Sequence, residues 1–459
     1  MTAHIHFIGI GGAGLSAIAA VLLQQGYTVS GSDLHASAAT ERLVQLGATV
    51  HLGHRAENLD PRPATVVISS AIPANNPELL AARQQGLPVL KRADWLGRMM
   101  AGRIGIAVAG SHGKTTTTAL TAFLLREAGQ DPTFIVGGFI PQLETNAAAG
   151  RGDAFVIEAD EYDHMFLGLR PEIAVITIVE WDHPDMFPTP QALRQDFEAF
   201  VQRVPPHGLV IGCGDDAGAL AALHQAQARV VTYGLQDGND WQAVELQPNR
   251  RGGYDFRVVN RERGEAYPLP SSFSLAIPGR HNVCNALAAL IIATRRGLEP
   301  AQTAAILSRF QGVGRRFELK GDVNGVTVID DYAHHPTEIR ATLAAARTRF
   351  GERPLWACFQ PHTFSRTLAL LDEFAAAFGE ADQVIIVDIF PSREVDQGLV
   401  HSRDIVSRMT HPAVRYIGSL HAAADYLTGQ LSPPAVLLTL GAGDGYRVGE
   451  WVLDKLREA

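Results

Sequence analysis

Twice in its N-terminal third the chain runs a short apolar strand into a glycine-rich turn and then into a helix of small residues. The first instance is "HIHFIGIGGAGLSAIAAVL", beginning at residue 4; the second is "RIGIAVAGSHGKTTTTALTAFLL", beginning at residue 103. A turn of this kind gathers unpaired backbone N–H groups and a helix N-terminus at one point, which suits a phosphate. It also commits the chain to an α/β fold, because strands that alternate with helices pair in parallel and need helices over their faces.

The first turn carries Gly9, Gly11 and Gly14 in G-x-G-x-x-G spacing, and an acid, Asp33, ends the following strand "YTVSGSD". This is the pattern of a dinucleotide-binding unit, in which the acid meets a ribose hydroxyl. The spacing does not say whose pyrophosphate is held. An NAD(P)-dependent oxidoreductase and an enzyme holding a nucleoside-diphosphate substrate both fit, and Asp33 either contacts the ribose or simply ends its strand.

The second turn, "GSHGKTTTT" at residues 110–118, is more specific. A full P-loop would need glycine where Val108 stands; G-x-x-G-K-T is what remains. In it Gly110 and Gly113 shape the turn, Lys114 meets phosphate, and Thr115 offers a hydroxyl to magnesium. The chain has 39 basic residues, of which only Lys91, Lys114, Lys320 and Lys455 are lysine. A lysine kept in this loop points to the chemistry of a compact, mobile ammonium. An acid on a neighbouring strand completes such a site. Glu158 ends "AFVIE", with Asp160, Glu161 and Asp163 close behind, and His183 follows among the acids of "VEWDHPDMF". The plainer alternatives are a helix-capping acid run and a structural histidine.

A chain of 459 residues exceeds one core and predicts two to four domains. The net charge of −9 argues against nucleic acid or an anionic membrane as partner. Three scattered cysteines, no run of membrane-spanning length and no basic leader predict a cytoplasmic protein. A third α/β start lies near residue 320, with "VTVIDDYAHHP", "PLWACFQPH", "QVIIVDIFPS" and "AVLLTLGAGDGY" as strands. Before it, "DWQAVELQPNRRGGYDFRVVNRERGEAYPL" reads as hairpins with turns at Arg-Gly-Gly and Asn-Arg. Three domains follow: residues 1–104, 105–318 and 319–459.

Taken in order, "GIGGAGLS", "SSAIPANNPE", "GSHGKTTT", "EADEYD", "DHPD", "GRHNVCNALAA", "GVGRRFE", "DDYAHHPTEI", "FQPHTFSRT" and "LTLGAGD" span nearly the whole chain. Together they resemble the Mur ligases, ATP-dependent amide-bond-forming enzymes of peptidoglycan synthesis. The resemblance implies a Rossmann-like UDP-binding domain, a central P-loop-type ATPase domain and a C-terminal Rossmann-like α/β domain. It implies that ATP phosphorylates the lactyl carboxylate of UDP-N-acetylmuramate and that the amine of L-alanine then attacks the acyl phosphate. A relative that joins a preformed tripeptide to the same UDP-sugar is the near rival, and the oxidoreductase reading is the distant one.

Carried over by position, Gly11, Gly12, Ala13, Gly14, Leu15 and Ser16, with Asp33, Ser70 and His112, would hold the UDP-sugar. Gly110, Ser111, His112, Gly113, Lys114, Thr115 and Thr116 would hold the ATP phosphates, and Thr115 with Glu158 one magnesium. His183 would hold a second. The resemblance further implies Asn282 and Asn285 at adenine, Asp331 at ribose, Arg316 at phosphate, and His335 and Arg366 at the amino-acid pocket. The chain has no lysine between Lys114 and Lys320, so the carbamylated lysine of many relatives is missing, as in the alanine-adding branch. Thr363 stands where some relatives carry arginine, which leaves Arg366, alone or with a histidine, to anchor the amino-acid carboxylate. A swing of the C-terminal domain about "GVGRRFELKG" on ATP binding is also expected.

Overall fold

The computed structural model describes residues 3–262, 267–269 and 272–458. The first stretch of chain gives five parallel strands: β1 (His4–Ile8), β2 (Thr28–Asp33), β3 (Thr49–Leu52), β4 (Thr65–Ile68) and β5 (Val89–Lys91). Their order is β3-β2-β1-β4-β5. The chain builds outward from β1 in one direction and then returns to add β4 on its other side. That reversal leaves a crevice beyond the C-terminal ends of β1 and β4, where parallel sheets bind ligands. The glycine turn leaves β1 at this point.

The second stretch supplies β6 (Ile104–Ala109), β7 (Thr133–Ile140), β8 (Thr145–Ala148), β9 (Ala154–Glu158), β10 (Ile173–Ile176), β11 (Leu209–Cys213) and β12 (Arg229–Gly234). They run β12-β11-β10-β6-β9-β7-β8, parallel except for β8 against β7. β6 lies inside this sheet, and its residues Ile106–Ala109 are wholly enclosed. Next come β13 (Trp241–Pro248), β14 (Tyr254–Asn260), β15 (Tyr267–Pro268) and β16 (Phe273–Leu275). A tight turn over Asn249–Gly253 makes the first expected hairpin, and β14 takes both β15 and β16 antiparallel. The expected turn after Asn260 runs into residues 263–266, outside the described residues.

The third stretch forms β17 (Glu318–Val323), β18 (Val326–Asp331), β19 (Leu355–Phe359), β20 (Gln383–Ile386), β21 (Val414–Tyr416) and β22 (Ala435–Leu440). The order is β17-β18-β22-β19-β20-β21, with only β17 antiparallel. Both faces of this sheet are covered. Ile329, Val436 and Leu438 enter one core with Phe359, Phe374 and Phe378, while Val328, Ala435 and Leu437 enter another with Leu427 and Val452. Burial on both faces explains why these strands read as unbroken apolar runs.

Three α/β sheets in succession are the architecture the sequence predicts. By packing, residues 1–179, 194–241 and 288–303 make one compact unit, and 180–193, 242–287 and 304–459 make a second.

Candidate active site

In the first unit the lysine loop leaves the end of β6 under tight constraint. Gly110 and Gly113 have φ of +141° and +83°, which side chains resist, and a Cβ on Gly110 would stand 1.9 Å from Thr177 Oγ1. Thr177 Oγ1 donates to the His112 carbonyl at 2.5 Å, and Ser111 N donates to the Ile178 carbonyl at 2.6 Å. The loop is therefore stitched to the end of β10. The helix Lys114–Glu127 starts with no side-chain cap, so the N–H groups of its first turn remain for a ligand. Thr115 and Thr116 begin a buried run of threonines on that helix.

Thr115 Oγ1 donates to Glu158 Oε1 at 2.9 Å, and Gly137 N donates to Glu158 Oε2 at 2.7 Å. The hydroxyl and the carboxylate predicted to share magnesium thus lie side by side. Lys114 Nζ points back into its own loop, donating to the carbonyls of Gly110 at 2.5 Å and Ser111 at 3.3 Å. It also meets Glu161, with 2.9 Å to each carboxylate oxygen. Burial opposes the lysine charge, but Glu161 and Asp160 outweigh it and raise its pKa. Burial pushes Glu161 up to about 7, against the pull of Lys114. Glu161 is a functional candidate that spacing alone did not single out among its neighbours.

The glycine turn after β1 is braced by the acid of β2: Gly11 N donates to Asp33 Oδ2 at 2.8 Å. Gly11 leaves room for this contact, since a Cβ there would lie 2.9 Å from the same oxygen. At Gly14 a Cβ would fall 2.3 Å from Arg92 Nη1, and Arg92 Nη2 reaches Asp160 at 3.2 Å. Gly12 and Ala13 are exposed at the start of the helix Ala13–Gln24, and Ser16 is half-buried one turn on. Leu15 is buried in the core, which leaves only its backbone to face a ligand. Ser70 is exposed in the turn after β4.

In the second unit His183 has φ of +54°, and its N–H donates to Asp182 Oδ1 at 2.7 Å. Arg366, predicted to face the amino acid, is buried with all three nitrogens engaged. Nε donates to Asp182 Oδ1 at 2.7 Å, Nη1 to the His362 carbonyl at 2.5 Å, and Nη2 lies 3.4 Å from His183 Nδ1. His335 is buried as the cap of the helix Pro336–Phe350, its Nδ1 accepting from Thr337 N at 3.3 Å. Thr363 Oγ1 donates to Glu394 Oε1 at 2.5 Å, and Ser365 N to Glu394 Oε2 at 2.9 Å. Glu394 was not foreseen, because nothing local to it marks a partner in another loop.

The two arginines of "GRRF" separate by role. Arg315 is fixed to the C-terminal sheet by Asp330 at 3.0 Å and the Gly441 carbonyl at 2.8 Å. Arg316 lies 3.6 Å from Glu338 and over the Tyr332 ring. Asp331 accepts from Phe317 N and Ala333 N, both at 2.8 Å, and burial lifts its pKa to about 6. Asn285 Nδ2 donates to Asn282 Oδ1 at 3.0 Å, and Asn282 Nδ2 to the Pro278 carbonyl at 2.6 Å. The two asparagines form one buried pair rather than two separate side chains.

Three family models cover the chain in order. Residues 4–104 match the Mur ligase family catalytic domain, 108–293 the Mur ligase middle domain, and 315–443 the Mur ligase glutamate ligase domain. A UDP-N-acetylmuramate–L-alanine ligase of Roseiflexus sp. (strain RS-1) is 45% identical over 99% of both chains. The chain belongs to the Mur ligase family. A ligase of the same printed name from Renibacterium salmoninarum is 46% identical over 98% of this Mur ligase and 96% of its own length. Among solved structures, the UDP-N-acetylmuramate–alanine ligase of Thermotoga maritima superposes with a TM-score of 0.82 at 28% identity, covering 99% of each chain. A murein peptide ligase from Psychrobacter arcticus gives 0.73 at 27% identity, over 100% of this chain and 99% of that one. Family membership sets the oxidoreductase reading aside. No helix among the described residues is long and apolar enough to cross a membrane.

Proposed function

We propose that this Mur ligase joins L-alanine to the lactyl carboxylate of UDP-N-acetylmuramate at the cost of ATP, in the cytoplasm, during peptidoglycan precursor synthesis. Residues 1–104 take the UDP-sugar, 105–318 take ATP, and 319–459 take the amino acid. The observation that carries the reading is the lysine loop with Thr115 against Glu158, in a chain alike end to end to L-alanine ligases.

A carboxylate is a poor electrophile, so it must be activated, and both it and ATP are anionic. Lys114 and the N–H groups of the Lys114–Glu127 helix supply fixed positive charge where the γ-phosphate is transferred. Thr115 and Glu158 present adjacent hard oxygens, a donor set that suits magnesium. Magnesium bound there would screen the phosphate charge, with His183 the candidate for a second ion. Arg316 and Asp331, joined through the residues around β17 and β18, are the candidates for phosphate and ribose, with Asn282 and Asn285 for adenine. Asp33 and the residues Gly11–Ser16, Ser70 and His112 would meet the UDP-sugar. His335 and Arg366 shape the amino-acid end, Arg366 through its hold on Asp182 and His362.

The full-length likeness to a murein peptide ligase at 27% identity favours one second reading, addition of a tripeptide to the same UDP-sugar. Phosphate release with UDP-N-acetylmuramate and ATP, offered L-alanine or L-Ala-γ-D-Glu-diaminopimelate, separates the two. Preference for L-alanine is expected; preference for the tripeptide would replace the first reading with the second.

A further inference from the structure

The short helix Phe364–Ala369 carries Arg366, yet it opens without a cap of its own: the Thr363 side chain makes no hydrogen bond to its first turn. The N–H groups that open a helix need acceptors. Glu394 brings one from another loop, the loop that joins β20 to the helix Ser402–Arg408. Its Oε2 accepts from Ser365 N at 2.9 Å, and its Oε1 accepts from Thr363 Oγ1 and Ser365 Oγ, both at 2.5 Å. Burial opposes the charge of Glu394, but the hydrogen bonds from Ser365 and Thr363 outweigh it and lower its pKa. These are therefore charge-assisted bonds to a carboxylate, the stronger kind.

The loop is tied down beside Glu394 as well. Phe390 N donates to the Pro361 carbonyl at 2.8 Å, and the Phe390 ring stacks on His362 with 5.7 Å between centroids. One residue beyond Ser365, the Arg366 guanidinium donates to the His362 carbonyl and to Asp182. All of these residues belong to the second compact unit. From Glu394 to Asp182 the side chains are thus linked through a single turn of helix, and a shift of Ser365 carries Arg366 with it. A guanidinium reads a carboxylate through N–H groups in a fixed plane, so a small rotation spoils the match.

We propose that Glu394 is a positioning residue for the amino-acid substrate: from its separate loop it fixes the first turn of the helix Phe364–Ala369 and so sets where Arg366 stands. It acts through Arg366 and not on the substrate itself. The inference rests on the reading of Arg366 as part of the amino-acid end.

Steady-state phosphate release by the full chain tests it, with L-alanine, UDP-N-acetylmuramate and ATP varied in turn. Glu394→Ala is expected to raise KM for L-alanine by roughly 10- to 100-fold, the cost of a misplaced substrate-orienting group, while KM for ATP and for the UDP-sugar stays as in wild type. Glu394→Gln keeps one acceptor oxygen for Ser365 N and should recover part of the loss. If Glu394→Ala does not fold by circular dichroism, the same split is read in Ser365→Ala, which removes one hydroxyl donor and should raise KM for L-alanine a few-fold. An unchanged KM for L-alanine, or an equal rise in all three constants, would overturn this proposal alone. Wild type that releases no phosphate with L-alanine would overturn the L-alanine reading and this proposal with it.

Discussion

Asp182 and Arg366 are 184 positions apart in the chain and 2.7 Å apart in the fold, and each side chain is almost wholly buried. Burial alone would raise the Asp182 pKa. The Arg366 guanidinium, with His183 next, holds it well below the usual carboxylate range instead. The pair fixes the loop that carries His183 to the short helix Phe364–Ala369.

Removing one partner of such a pair strands the other. Asp182→Asn is expected to cost about 3–5 kcal/mol, read as a lower urea midpoint. The folded pKa lies below the unfolded value, so the stabilisation is complete above about pH 4 and disappears as pH falls through the folded value. The gap between wild type and variant should therefore stay constant from pH 8 to pH 5. A gap that closes within that range would contradict the pairing.

At the lysine loop, Lys114→Ala removes the fixed cation and should lower ATP turnover by roughly two to three orders of magnitude. Glu158→Gln keeps the shape of the side chain but loses its charge. It should raise the magnesium needed for half-maximal rate by about 10–100-fold. Steady-state rates against magnesium concentration check both, and chelation with EDTA should abolish turnover in the wild type.

Asp33 acts on the first loop through one charge-assisted hydrogen bond to Gly11 N. Bonds of that kind contribute about 1.5–3 kcal/mol, so Asp33→Ala should raise KM for the UDP-sugar by roughly tenfold or more. KM for ATP should not move. An equal rise in both would mean that the substitution loosens the fold generally.

Glu78, in the first turn of the helix Pro77–Gln84, is fully buried and held by His6 at 2.6 Å, Ser32 at 2.5 Å and His54 at 3.2 Å. Burial works to raise its pKa, but the His6 and Ser32 hydrogen bonds prevail and lower it. The stabilisation from this depressed pKa is present above the unfolded carboxyl value and lost as pH falls through the folded one. Glu78→Gln should therefore melt lower than wild type at pH 7, with the difference shrinking below about pH 4. Thermal melts from pH 7 to pH 3.5 would show it.

Much of this was legible in the sequence. The strand–glycine–helix units announced three α/β sheets because their signals are local: a turn that needs glycine, and periodicity that changes from strand to helix. Lys114, Thr115 and Glu158 were legible for the same reason, each placed by the end of a strand or the start of a helix. What the sequence left unread is long-range pairing. That Glu161 rather than Asp160 meets Lys114 depends on the path of the chain after β9. That Arg366 turns to Asp182 depends on two loops far apart in the chain. "GRRF" likewise gives no hint that Arg315 is tied to Asp330 while Arg316 is left toward Glu338.

Gly14 and Arg92 carry a consequence for how such a chain can diverge. The arginine occupies the space a side chain at position 14 would need, and its other end rests on Asp160, beside the acid that holds Lys114. Any residue but glycine at 14 displaces the arginine, and the displacement is felt at Asp160, next to the acid that meets Lys114. The two loops are therefore not separate modules: a side chain added at one is relayed to the other through a single guanidinium.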